Sequence, residues 1–202
     1  MTYVISILVG YLMGNIQSAF LLGKLIHRID IREKGSKNPG TANAVLVLGW
    51  PLGIVTFIID VLKAACSVWL INSLYPGVFE AGILAGSMAV AGHIYPVVMK
   101  FKGGKGVASV IGLMIAVDPV IAIVLLSLMV AISVVTNQIV WGEIAGLFMF
   151  PVAAALLNYS DQSVFIIALV SLLSIFRLRN NLVRTIQGTE KTLSSVFKKN
   201  KK

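Results

Sequence analysis

The stretch GHIYPVVMKFKGGKGVASVIG, residues 92–112, places a histidine, three lysines and a run of glycines between two apolar segments. In a soluble protein such a loop usually joins a strand to a helix, but these flanking segments have the composition of membrane spans. The whole chain agrees, because 57% of its 202 residues are hydrophobic and 12% are charged. The mean hydropathy is +0.91, far from that of a soluble globular domain. We therefore predict an all-α polytopic membrane protein with a single domain over residues 1–202.

Apolar runs along the chain predict the membrane spans, since a helix needs about 20 apolar residues to cross the hydrocarbon. Six candidate spans are residues 3–24, 51–73, 79–99, 120–135, 138–157 and 163–177. A shorter run at 106–117 is separated from the next by Asp118 and Pro119, where proline disfavours a continuous helix. If this run crosses the membrane as a span of its own, every basic cluster falls on the same side of the membrane. The positive-inside rule makes that side cytoplasmic. We predict seven transmembrane helices including one short span, with the N-terminus outside and the C-terminus cytoplasmic.

Charge and cysteine content exclude several classes of function. The formal net charge of +9 suits an anionic substrate or the cytoplasmic membrane surface. No basic face carries interleaved aromatic residues, so we predict no nucleic-acid partner. The single cysteine, Cys66, cannot form an intrachain disulfide. No cluster of cysteine, histidine and carboxylates predicts a metal site, and we expect a monomer in membrane lipid that needs no cofactor.

The GGKG segment has the chemistry of a phosphate-binding loop. Gly103, Gly104 and Gly106 allow the backbone to approach a phosphate closely, and Lys105 supplies a positive charge. A helix that begins near Val107 adds the positive end of its dipole. The segment is not the nucleotide P-loop, because GxxxxGK followed by Ser or Thr is absent. The alternative interpretation is a flexible basic anchor at the membrane surface.

A second polar segment, IHRIDIREKGSKNPGTANAVL at residues 26–46, forms the first predicted cytoplasmic loop. Its turn formers and small hydrogen-bonding residues are Gly35, Ser36, Asn38, Pro39, Gly40, Thr41 and Asn43. Such a segment is able to direct successive backbone N–H groups at an anion. The alternative interpretation is a solvated turn.

Few ionisable residues lie within the predicted spans. Asp60 and Lys63 are three residues apart on one helix, so we predict that they pair inside the protein. His93 begins the GHIYP turn, and a lone histidine there is more often structural than catalytic. Glu143, near the start of the sixth span, suits a cationic group, a proton or an ion pair with Lys or Arg.

The tail after the last span has the pattern of a helix that lies on the membrane surface. Its apolar residues recur at four-residue spacing, at Leu178, Leu182 and Ile186. Its polar beginning includes Arg179 and Asn181. We expect this beginning to lie near the two loops described above, so that three segments converge on one anion site.

These motifs together resemble the bacterial membrane acyltransferases that use acyl phosphate to acylate glycerol 3-phosphate. The motifs that carry the resemblance are GSKNPGTAN (35–43), DVLKA (60–64), GHIYPV (92–97), FKGGKGVAS (101–109) and RNN followed by GTE (179–190). The similarity extends over nearly the whole chain. It implies seven helices in the inner (plasma) membrane of a bacterial cell, and acyl transfer to the 1-position of glycerol 3-phosphate, giving lysophosphatidate. The implied donor is acyl phosphate, with neither coenzyme A nor acyl carrier protein acting directly.

The chain departs from the family pattern at several positions of the acceptor site. Leu46 stands where the family has an arginine that contacts phosphate, Lys37 replaces a glycine, and Leu178 replaces a histidine. A serine-containing stretch of the family has become IVWGEIAG, which contains Glu143. Two alternatives therefore stay open, a paralogue that acylates another hydroxyl or lysolipid acceptor and a non-catalytic lipid-binding or transport protein.

Candidate site residues follow from the motifs and the resemblance together. We assign catalytic roles to Lys105 and Ser36. The substrate-binding candidates are Lys37, Asn38, Asn43, His93, Gly103, Gly104, Gly106, Glu143, Arg179 and Asn181. Acyl phosphate is already activated, so the reaction needs positioning and charge stabilisation rather than a nucleophilic side chain.

Overall fold

The computed structural model of the protein describes residues 1–198. Those residues lie in helices and loops, with no β-strand among them, so the predicted all-α class is confirmed. The helices are α1 (Thr2–Gly14), α2 (Ser18–Ile26), α3 (Thr41–Leu48), α4 (Trp50–Leu74), α5 (Phe79–Ile94), α6 (Val107–Val117), α7 (Pro119–Thr136), α8 (Ile139–Leu156), α9 (Asp161–Ile186) and α10 (Leu193–Lys198). Short 3-10 helices occur at Ile31–Glu33 and Val97–Met99. The single domain over residues 1–202 stays a prediction.

Six helical segments of the described chain are long and apolar enough to cross a membrane. They are Thr2–Ile26, Trp50–Leu74, Phe79–Met99, Pro119–Thr136, Ile139–Leu156 and Asp161–Ile186. Each coincides with one of the six long runs predicted from the sequence. The seventh run forms the shorter apolar helix Val107–Val117. The count of seven crossings and the orientation of the termini stay predictions.

The first of two compact units comprises Met1–Val117. In this unit α4 packs against α1, α2, α3, α5 and α6, and α1 packs along α5. Glycine makes the α1–α5 contact close, because a Cβ at Gly10 or Gly14 would overlap the backbone of Ala85 or Ala89. Small residues permit such backbone approach between helices in a membrane.

The second compact unit begins at Asp118 and contains α7, α8 and α9, which pack in sequence order. Asp118 caps α7, since one carboxylate oxygen accepts hydrogen bonds from the N–H groups of Val120 (2.7 Å) and Ile121 (3.1 Å). Pro119 occupies the first helical position, where its missing N–H carries no cost. The predicted break between the short apolar run and the next span is therefore confirmed.

The tail differs from its prediction as a separate helix on the membrane surface. Helix α9 runs without interruption from Asp161 to Ile186, so the tail motif continues the last span. At about 1.5 Å per residue, the 26 residues of α9 exceed the roughly 30 Å hydrocarbon core. Leu178 is fully buried whereas Ile186 is 72% exposed, so the residues at four-residue spacing do not form one stripe with a common environment.

Candidate active site

The GGKG segment folds back on the end of α5. Lys100 and Phe101 adopt left-handed backbone conformations (φ 51° and 59°) and reverse the chain after the 3-10 turn. The N–H of Gly103 then donates to the carbonyl of Ile94 (3.2 Å), and the N–H of Gly104 donates to the carbonyl of His93 (3.1 Å). These two hydrogen bonds fix the loop against α5, so the interpretation as a freely flexible anchor does not fit this segment.

At each of the three glycine positions of the loop, a side chain would be sterically or conformationally unfavourable. A Cβ at Gly103 would overlap the carbonyl oxygen of His93, and a Cβ at Gly104 would overlap the ring Nε2 of His93. Gly106 has φ +89°, a conformation that L side chains rarely adopt. Helix α6 begins at the next residue, Val107, as predicted. The backbone N–H groups in its first turn lack intrahelical acceptors and carry the positive end of the helix dipole.

A charged cluster lies buried beneath this loop. The ammonium of Lys63 is 2.7 Å from Oδ1 of Asp60, which confirms the predicted pair. It is also 2.7 Å from Nδ1 of His93, and the Ser18 hydroxyl donates to the same Asp60 oxygen at 2.9 Å. All four residues are at most 3% exposed. The pair therefore belongs to a network that reaches the residue against which the loop is packed.

The break between α1 and α2 supports the same network. The backbone carbonyl of Ile16, in this break, accepts a 2.8 Å hydrogen bond from Lys63. The buried amide of Gln17 donates to the carbonyls of Gly14 (3.2 Å) and His93 (3.3 Å). Sequence reasoning missed Gln17 and Ser18. Two adjacent polar residues in the middle of an apolar span were the available signal.

Asn43 organises the first loop from within. Its Oδ1 accepts a 2.7 Å hydrogen bond from the N–H of Ser36, and its Nδ2 donates to the carbonyls of Ile31 and Lys34, both at 3.1 Å. The side chain is fully buried. Ser36 and Lys37 are exposed, and Lys37 has a left-handed backbone (φ 61°). The structure thus links two of the predicted site residues, Asn43 and Ser36, directly.

An ion pair fixes the start of the first loop. The Arg32 guanidinium donates to both carboxylate oxygens of Asp30, the shortest contact being 2.7 Å. Its hydrogen bonds hold the pKa of the Asp30 carboxyl below its ordinary value, and Asp30 in turn raises the pKa of Arg32. The guanidinium also lies 4.9 Å from the ring centre of Phe20. Arg32 therefore stabilises the conformation of the loop, and its charge is already paired with Asp30.

The predicted site residues of the second unit lie on two helices. Asn181 on α9 is 9% exposed and donates a 2.8 Å hydrogen bond to Glu190, which also accepts from Arg184 at 2.6 Å. Arg179 is exposed and lies over the ring of Phe176 at 4.2 Å. Glu143 is half-buried on α8. Glu190 thus anchors the side chain of Asn181.

An apolar groove lies between α7 and α8 in the second unit. Its volume is about 590 Å³. The residues lining it are Leu128, Ile132, Thr136, Trp141, Ile144, Ala145, Phe148 and Met149. Such a surface suits hydrocarbon rather than a charged group.

Comparisons with known proteins agree with the resemblance. Residues 4–188 match the family model described as glycerol-3-phosphate acyltransferase. A glycerol-3-phosphate acyltransferase of Thermoanaerobacter pseudethanolicus is 37% identical over 191 residues, covering 94% of this chain and 95% of that protein.

Two crystal structures of PlsY, an integral membrane glycerol 3-phosphate acyltransferase, are similar to this chain over almost its full length. The glycerol 3-phosphate form has a TM-score of 0.89 at 27% identity and covers 95% of this chain and 96% of its own. The lysophosphatidic acid form has a TM-score of 0.88 at 26% identity and covers 98% and 99%. The similarity therefore extends to the fold as well as the motifs.

Proposed function

The chain belongs to the glycerol-3-phosphate acyltransferase family, and on that premise we propose that it transfers an acyl group from acyl phosphate to the 1-hydroxyl of glycerol 3-phosphate. The product is lysophosphatidate, an intermediate of phospholipid synthesis. The observation that carries the donor assignment is the GGKG loop, which is held against His93 and leads directly into α6.

The loop suits the phosphate of an acyl phosphate. Lys105 brings a positive charge to the residue pair directly before α6, and the first turn of α6 adds its dipole. Phosphate is a good leaving group, so catalysis consists of holding donor and acceptor together and stabilising the charge that develops. We assign that stabilisation to Lys105 and to the backbone N–H groups at the start of α6.

The bond changes are those of a direct acyl transfer. The acceptor hydroxyl oxygen attacks the carbonyl carbon, a carbon–oxygen ester bond forms, and the bond from that carbon to the phosphate oxygen breaks. The electron pair leaves with the phosphate. The hydroxyl proton passes to the phosphate group of the acceptor itself, since no side chain in the motifs is an obvious general base.

Within the first compact unit, the acceptor is assigned to the first loop. Ser36 contributes its hydroxyl, and Lys37, exposed on the same loop, supplies a charge in place of the arginine that Leu46 replaces. Asn43 shapes this loop through its three hydrogen bonds. The side chain of Asn181, a further substrate-binding candidate, is fixed by its hydrogen bond to Glu190. Asn38, Arg179 and Glu143 are proposed as further substrate contacts.

The acyl chain is assigned to an apolar groove between helices, and the α7–α8 groove has the required lining. We further propose that the enzyme is a monomer in the bacterial inner (plasma) membrane, with seven crossings and the GGKG loop on the cytoplasmic side. This side is where glycerol 3-phosphate, a soluble anion, is available.

The test uses purified protein with palmitoyl phosphate and either glycerol 3-phosphate or glycerol. Phosphate release and lipid products are followed together. We expect glycerol 3-phosphate to stimulate release and to become lysophosphatidate, and Lys105→Ala to lower the rate by about 10²- to 10³-fold. Stimulation by glycerol or a lysolipid alone would instead identify a different acceptor, and an intact donor in every mixture would argue against catalysis.

A further inference from the structure

The ammonium of Lys63 has three close partners inside the first compact unit. Its Nζ lies 2.7 Å from Oδ1 of Asp60, 2.8 Å from the carbonyl oxygen of Ile16 and 2.7 Å from Nδ1 of His93. An ammonium has three N–H donors and no acceptor site. Each of the three partners must therefore accept one hydrogen bond.

This requirement fixes the tautomer of His93. To accept from Lys63, Nδ1 must present its lone pair, so the ring proton resides on Nε2 and the imidazole is neutral. The distance from Nδ1 to Oδ1 of Asp60 is 3.5 Å, which is long for a hydrogen bond. In the opposite tautomer, an N–H on Nδ1 would point at the ammonium of Lys63 only 2.7 Å away, and two donors would face each other.

The other side of the same ring faces the phosphate loop. Nε2 of His93 is the atom that a Cβ at Gly104 would meet first, so the ring lies directly against the backbone of the loop. The carbonyl of His93 also accepts the N–H of Gly104 at 3.1 Å. Lys63 and Gly104 are thus on opposite sides of one imidazole, whose orientation depends on the hydrogen bond from Lys63.

We propose that Lys63 is a positioning residue for the GGKG loop: acting through His93, it holds a neutral Nε2–H imidazole against Gly104 and thereby sets the backbone that carries Lys105. Asp60 keeps the ammonium charged and oriented, and Ser18 orients Asp60. The inference rests on the proposed use of this loop for acyl phosphate. It assigns the DVLKA motif a role beyond a structural ion pair.

The first measurement reads the tautomer and needs no substrate. The chain has only two histidines, His27 and His93, so His27→Asn leaves a single imidazole for ¹⁵N-histidine NMR in detergent micelles. We expect Nδ1 to show the shift of an unprotonated nitrogen and Nε2 that of a protonated one. A proton on Nδ1 would overturn the proposal whether or not the protein turns over acyl phosphate.

The second measurement separates positioning from folding. Lys63→Met alone leaves the Asp60 carboxylate buried without its counter-charge, so the informative variant is Asp60→Leu combined with Lys63→Met. We expect this double variant to retain a thermal midpoint near that of the wild type. Its kcat/KM for palmitoyl phosphate should fall on the order of 10²-fold, as for a small displacement of a reacting group, while KM for glycerol 3-phosphate is unchanged.

A folded double variant with wild-type kcat/KM for palmitoyl phosphate would show that the cluster is structural only. If the double variant fails to fold, the tautomer of His93 still decides the proposal. If the wild type itself uses no acyl phosphate, the proposed function fails, and the NMR result separates that outcome from a failure of the positioning role.

Discussion

The side-chain oxygen of Asn43 accepts a 2.7 Å hydrogen bond from the backbone N–H of Ser36, seven residues earlier in the chain. The side-chain nitrogen of Asn43 donates hydrogen bonds to the carbonyls of Ile31 and Lys34, which lie earlier in the same loop. A fully buried side chain thus determines where an exposed hydroxyl is presented.

Asn43→Asp tests this arrangement with almost no change in shape. The aspartate keeps an acceptor for Ser36, but the carbonyls of Ile31 and Lys34 lose their donors and face a carboxylate. Leaving buried carbonyls unpaired costs about 1–3 kcal/mol, and we expect lower thermal stability with a higher KM for glycerol 3-phosphate. Glu33→Gln, at an exposed position of the same loop, is the control. Wild-type behaviour of Asn43→Asp would contradict the assignment.

Gly104→Ala tests the contact between the phosphate loop and His93. The added methyl group would overlap Nε2 of His93, and overpacking of this kind costs about 1–3 kcal/mol. We expect a raised KM for acyl phosphate as the loop shifts away from the ring. Gly77→Ala is the matched control, because its Cβ would meet no atom within 4 Å although its φ is +89°.

The measurement is KM for palmitoyl phosphate together with the thermal midpoint of each variant. Gly77→Ala should lose stability through backbone strain and keep its KM. An equal KM in the two variants would show that the loop does not depend on its packing against His93.

The two leucines of the acceptor region should respond in opposite ways when the family's residues are restored. Leu46 is half-buried on α3, so Leu46→Arg is expected to add a charged hydrogen bond to phosphate, of about 1.5–3 kcal/mol. KM for glycerol 3-phosphate should fall roughly tenfold or more. Leu178 is fully buried, so Leu178→His should instead destabilise the protein.

Steady-state kinetics and thermal unfolding of the two single variants check this contrast. A higher KM in Leu46→Arg would mean that Lys37 already occupies the role of the arginine. A stable and more active Leu178→His would mean that position 178 opens to the substrate.

The predicted topology requires the two ends of the chain to face opposite sides of the membrane. In a Cys66→Ser background, Tyr3→Cys should react with an impermeant maleimide added to intact cells, and Ser195→Cys should react only after lysis. Both positions lie in the described part of the chain. Reaction of both cysteines from the same side would rule out an odd number of crossings.

Much of the fold was predictable from composition and charge. Every long apolar run became a helix, because the hydrocarbon core demands internally satisfied backbone hydrogen bonds. The break at Asp118 followed from proline chemistry and the capping carboxylate. The prediction of a separate surface helix in the tail was wrong, because four-residue spacing identifies an apolar face but does not indicate whether lipid or protein covers it.

The site was predictable only where a motif is local in sequence. The GGKG loop and the pair of Asp60 and Lys63 could be identified because their residues are close neighbours. The link from Lys63 to His93 joins residues 30 apart, and that from Ser18 to Asp60 joins residues 42 apart. Such contacts depend on how α2, α4 and α5 pack, which no single run of sequence encodes.

A comparison of acyl donors with the purified enzyme tests directly whether acyl phosphate is the donor and whether Lys105 acts on it. Palmitoyl phosphate, palmitoyl coenzyme A and palmitoyl acyl carrier protein are each supplied with radiolabelled glycerol 3-phosphate, and labelled lysophosphatidate is measured for the wild type and for Lys105→Ala. We expect product from palmitoyl phosphate alone, at a rate that Lys105→Ala reduces by about 10²-fold or more. Product formed from either thioester, or from palmitoyl phosphate at an undiminished rate in Lys105→Ala, would contradict this expectation.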